Sequence, residues 1–117
     1  RLGELEGLLK VAIRKPEADD GGPLRVLGML YLKAPPWPAG IGDLDLALEH
    51  LERAATDFSH HPMGHLYYAY ALKEDFCGGE THTALTAAYR ALDAGNWGAF
   101  APRWRKECDA FKTELEK

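Results

Sequence analysis

The stretch Leu24-Arg25-Val26-Leu27-Gly28-Met29-Leu30-Tyr31 decides how this chain folds. Leu24, Leu27, Gly28 and Tyr31 stand at i, i+3, i+4 and i+7, the spacing of one helical face. Further on, Ala47, Leu51 and Ala54 stand at i, i+4 and i+7 and form a second face rich in small residues. Both spacings recur: His65, Tyr68, Ala69 and Leu72 repeat the first, and Ala84, Ala88 and Ala91 the second. Gly28 and Ala69 hold the same register, where a small residue lets a partner helix approach closely. A pattern written twice predicts two helical hairpins that cannot each hide an apolar face alone and must therefore stack.

Working outward, Leu2, Leu5, Leu8, Leu9, Ala12 and Ile13 make an apolar stripe that predicts a helix over residues 2–14. Pro16 and the Asp19-Asp20-Gly21-Gly22 run stop it, and Pro23 suits the first turn of the next helix, which runs to about Lys33. Ala34-Pro35-Pro36-Trp37-Pro38, followed by Gly40 and Gly42, cannot sit in a regular helix and forms a loop in which the glycines allow positive φ and close approach. Asp43 reads as the N-cap of the third helix. Pro62 opens the fourth, which ends near Asp75 and is broken by Cys77, Gly78 and Gly79. The fifth begins at Glu80 or Thr81, with Gly95 as its C-cap glycine. The last opens at Pro102, and Phe100, Trp104, Cys108, Phe111 and Leu115 mark its apolar stripe. The expectation is an all-α chain of about six antiparallel helices in one domain. It comprises residues 1–16 as the second helix of a truncated repeat, 22–61 and 62–98 as full hairpins, and 99–117 as a capping helix.

Composition narrows the function classes. The 117 residues are 46% hydrophobic and 27% charged, an ordinary globular balance, and no apolar run approaches the ~20 residues of a membrane-spanning helix. Fourteen basic against eighteen acidic side chains leave a net charge of −4, which repels polyanions and argues against nucleic acid. Arg1 rather than Met opens the chain, which reads as processing or trimming, so any export signal would lie upstream. Cys77 and Cys108 read as small hydrophobes, with a single bridge between them as the alternative in an exported protein.

On these residues the chain resembles the tetratricopeptide repeat superfamily over about residues 2–98. The runs Leu27-Gly28-Met29-Leu30-Tyr31-Leu32-Lys33-Ala34-Pro35, Trp37-Pro38, Ile41-Gly42-Asp43 and Ala47-Leu48-Glu49-His50-Leu51 are similar to bacterial repeat proteins like the TatT component associated with TRAP transporters. Pro62-Met63-Gly64-His65-Leu66 continues the likeness. The first hairpin departs by about seven residues more than the ordinary ~34-residue repeat. The resemblance implies an α-helical solenoid and a non-enzymatic, mostly exported scaffold for assembly or for holding a ligand.

Positions offset from the packing set should line a concave groove. They are Arg25, Met29, Leu32 and Lys33 in the first hairpin and Met63, Leu66, Tyr70 and Lys73 in the second. Apolar with basic ends, this groove suits a protein or peptide segment carrying a carboxylate, or a small amphipathic molecule. The competing reading places Met29, Leu32 and Leu66 in the core. Trp37 is expected to fold down on Tyr31 or the neighbouring hairpin, the other reading being a recognition tip or lid. His61 and His65, four apart, invite a metal. His60 and His61, however, precede Pro62 in a turn, and His65 takes a packing position as a buried, hydrogen-bonded side chain. No nucleophile elbow, phosphate loop or His-Glu-x-x-His motif is present, and nothing calls for a catalytic residue, metal or cofactor. The expected function is a protein-interaction or assembly scaffold. The alternative is an exported small-molecule subunit of a transport system, and an enzyme built on His61, His65 and His82 ranks last.

Overall fold

The computed structural model describes residues 2–14 and 21–117. The expected stop at Pro16, the Asp19-Asp20 run and the side chain of Leu2 lie outside the described residues. Among those described, the chain forms six α-helices and no strand: α1 (Leu2–Ala12), α2 (Gly22–Lys33), α3 (Leu44–Asp57), α4 (Pro62–Glu74), α5 (Gly78–Ala94) and α6 (Phe100–Leu115). The chain is all-α, as its periodicity predicts. Its radius of gyration, 13.9 Å, is close to the ~13 Å of a compact body of this size.

Local chemistry explains the ends. Asp43 caps α3, its carboxylate accepting the Leu46 N–H at 3.1 Å. His61 caps α4 through Nδ1, which accepts from the Met63 N–H at 3.2 Å. Two helices start earlier than expected. The Thr81 N–H already bonds the Cys77 carbonyl at 2.8 Å, so Gly78 and Gly79 lie in the first turn of α5 rather than outside it. In α6, Pro102 falls within the first turn, where its missing N–H leaves nothing unpaired. Gly95 does end α5, but at φ −100°, in extended backbone rather than the left-handed conformation of a C-cap glycine.

Consecutive helices pack on one another, and α4 also meets α2 and α6. At Gly28 α2 and α3 approach closely: a β-carbon there would lie 2.5 Å from the Leu51 Cγ. In the loop that joins them, Gly42 has a φ outside the left-handed region, contrary to expectation. It is needed because a β-carbon would strike the Ala34 carbonyl. The Asp43 N–H closes the loop onto the Tyr31 carbonyl at 3.0 Å.

The core has two parts. Leu27, Tyr31 and Ala47 form the smaller, with Leu9 and Ile13 of α1 packed against it. Met63, Leu66, Ala69, Leu72, Leu85, Leu92, Cys108 and Phe111 belong to the larger, which joins α4, α5 and α6. The α1 stripe is only partly used, since Leu5 and Leu8 remain exposed. The Tyr31 hydroxyl also ties α1 down, donating to Glu6 Oε2 at 2.5 Å. Cys77 and Cys108 are free thiols, the second buried. Burial pushes the Cys108 thiol up to about 11.

Candidate binding cleft

Lys33 ends α2, Lys73 and Glu74 end α4, and Glu114 lies in the last turn of α6. All four line one cleft of about 520 Å³, so the C-terminal ends of α2, α4 and α6 converge. Its walls come from Met29 and Leu32 on α2, Tyr67 and Tyr70 on α4, and Glu107, Ala110 and Phe111 on α6. Met29, Leu32, Lys33, Tyr70 and Lys73 therefore stand together, as the offset rule predicts. Arg25 lies further along α2, in a depression it shares with Leu9, Val26, His61 and Tyr67. Tyr67 borders both spaces.

Met63 and Leu66 do not line the cleft. They are 2% and 0% exposed, inside the core cluster that α4 forms with α5 and α6. Tyr67, Phe111 and Glu107 were not anticipated. Extending the offset rule to the last helix, read only as a cap, would have pointed to the α6 residues.

Three of the five tyrosines donate to carboxylates: Tyr31 to Glu6, Tyr68 to Glu52 and Tyr89 to Asp109. Tyr67 and Tyr70 make no hydrogen bond through their hydroxyls among the described residues, and their rings stack at 5.9 Å. Tyr70 meets Phe111 edge-on at 4.8 Å, which fixes its ring. Burial, and after it the Glu107 carboxylate, raises both phenols, Tyr70 to about 12, so both remain protonated donors at neutral pH. Lys73 pairs with Glu114 at 2.5 Å, and that hydrogen bond holds the Glu114 carboxyl below its ordinary range. With this pair balanced, Lys33 and Glu74 leave charges of opposite sign at the cleft's end, and Glu107 adds a further negative charge to its wall. The basic-ended groove expected from sequence is thus of mixed sign.

Trp37 does not fold down: it is 84% exposed. The ring stacked on Tyr31 is that of His50, at 5.8 Å, so the space Trp37 was expected to fill is occupied. Beneath the loop lies a depression of about 210 Å³ between Tyr31, Leu32, Pro36, Asp43 and Glu74.

The histidines serve separate tasks. His61 is buried under Trp97 and Trp104, each ring centre 5.1 Å away. His65, half-buried rather than buried, bonds the Ser59 carbonyl at 2.7 Å, and His82 is exposed on α5. Among the described residues no three His, Cys, Asp or Glu side chains are grouped to share a metal ion. No protein-family model matches this chain, and no curated protein matches it.

Proposed function

We propose that this chain is a non-enzymatic binding module of tetratricopeptide-like architecture, an interaction or assembly scaffold whose concave cleft holds a segment of a partner protein. In this reading α2–α3 and α4–α5 are the two hairpins, and α6 supplies the third wall. The observation that carries it is the pair Tyr67 and Tyr70, two protonated hydroxyls lining a cleft and without a hydrogen bond among the described residues, set among Met29, Leu32 and Phe111. Apolar walls with a few convergent donors bind amphipathic segments, the walls providing affinity and the donors orientation. The small-molecule alternative fits less well. The depression beneath the Trp37 loop holds about 210 Å³, below the ~300–1,000 Å³ of small-molecule pockets, and Trp37 does not cover it.

Selection of a phage-displayed random peptide library on the immobilised chain, followed by calorimetric titration of the enriched peptides, tests this reading. The double variant Tyr67→Phe/Tyr70→Phe keeps both rings and deletes both donors. Its melting temperature should match the parent, and the enriched peptides should bind about tenfold more weakly. Undiminished affinity in that variant and in Lys33→Ala would move the binding site elsewhere.

A further inference from the structure

The C-terminal ends of α2 and α4 point the same way, so the 34–43 loop and the 75–77 turn leave from one end of the molecule. Glu74 lines the loop's own depression beside Pro36 and Asp43, which brings the two connections together. Each presents an aromatic ring to solvent: Trp37 is 84% and Phe76 95% exposed. Phe76 also adopts φ 58°, a left-handed conformation that a glycine would hold with less strain. Folding gives little reason for a phenylalanine there, since the side chain is 95% exposed and its backbone is the wrong one for it.

The surrounding charge selects the occupant. Asp43, Asp45, Glu74, Asp75 and Glu80 lie on these connections or in the helix turns next to them, against Lys33, while Lys73 is balanced by Glu114. Asp75 and Glu80 both act on the Cys77 thiol between them, which places them together around the turn. Indole and phenyl faces attract lysine and arginine, and carboxylates beside them add to that attraction. An anionic bilayer, which also favours exposed aromatics, is repelled by the same charges.

We infer that the end of the molecule bearing Trp37 and Phe76 is a docking surface for a basic segment of a partner protein, with the two rings as anchors and the carboxylates as the complementary rim. This surface adjoins the cleft, with which it shares Leu32 and Glu74, but its two anchors, Trp37 and Phe76, do not line the cleft.

A fluorescently labelled peptide alternating arginine and leucine, and its glutamate–leucine counterpart, serve as probes of the full chain. The arginine peptide should bind, more weakly as salt rises, and the glutamate peptide should not. Trp37→Ala and Phe76→Ser should each raise the dissociation constant about tenfold with the circular dichroism unchanged. Tyr67→Phe/Tyr70→Phe should leave this binding intact. The inference is overturned if the arginine peptide fails to bind, if both peptides bind alike, or if neither aromatic substitution matters. Loss of binding in the tyrosine variant overturns it by assigning the peptide to the cleft. Binding to phosphatidylcholine–phosphatidylglycerol vesicles that the aromatic substitutions abolish overturns it in favour of a lipid surface.

Discussion

Helices α2 and α4 repeat one spacing, yet α2 keeps a wet face and α4 has almost none. In α2 the buried residues are the four that carry the pattern, Leu24, Leu27, Gly28 and Tyr31, while Val26 is 50% exposed. In α4 the buried set includes Ala69 and Leu72 of the pattern, but also Met63, Leu66 and Ala71, while His65 and Tyr68 stay half-buried. The cause is position: α4 is flanked by α2 on one side and α6 on the other, and rests on α3 and α5 besides. A helix covered on most sides is apolar on most sides. One spacing therefore encodes how a helix meets its hairpin partner, and says nothing of how many other neighbours it has.

Arg25 and Leu66 hold the same register in the two helices, and substituting both tests the contrast most severely. Leu66→Ala removes a side chain with no exposure and should cost about 2–5 kcal/mol in denaturant unfolding. Arg25→Ala should cost about 1 kcal/mol or less. Equal losses would contradict the double coverage of α4.

The hairpin contact itself is probed by Gly28→Leu. With Leu51 already where a β-carbon would stand, overpacking should destabilise by ~1–3 kcal/mol. Ala69→Leu should act in the same direction, and an unchanged melting temperature in both would sink the shared register.

The smallest effect concerns Tyr31, whose counterpart Leu72 has no hydroxyl. The hydrogen bond from Tyr31, more than the charge of Lys10, lowers the Glu6 carboxyl below its ordinary 4.5. A lowered folded value means stabilisation that is present above pH 4.5 and fades as pH falls through the lowered value. Glu6→Gln should cost about 0.5 kcal/mol at neutral pH, and the deficit relative to the parent should vanish in acid, as paired chemical melts would read. A deficit that persists in acid would assign the loss to packing.

Much of the fold was legible because its signals are local. The Asp43 cap, the proline at the start of α4 and the Gly28 contact each depend on residues within one or two turns, or on a facing residue fixed by the hairpin. The cleft was half legible. On α2 the offset rule led to Met29, Leu32 and Lys33, whereas on α4 it led to Tyr70 and Lys73 together with Met63 and Leu66, which lie in the core shared with α5 and α6. Trp37 was misread because filling a gap beside Tyr31 is the commoner use of such a ring, and His50 already fills it.

By itself the sequence determined six helices, most of their ends and the face each turns to its hairpin partner, since periodicity, caps and small residues act over short separations. Tertiary structure decided the rest. Tyr67 and Tyr70 line a cleft only because Phe111 and Glu107, far along the chain, stand opposite them. Trp37 and Phe76 share one end only because α2 and α4 run in the same direction. Such juxtapositions depend on which helices become neighbours, and no spacing within a single helix records that.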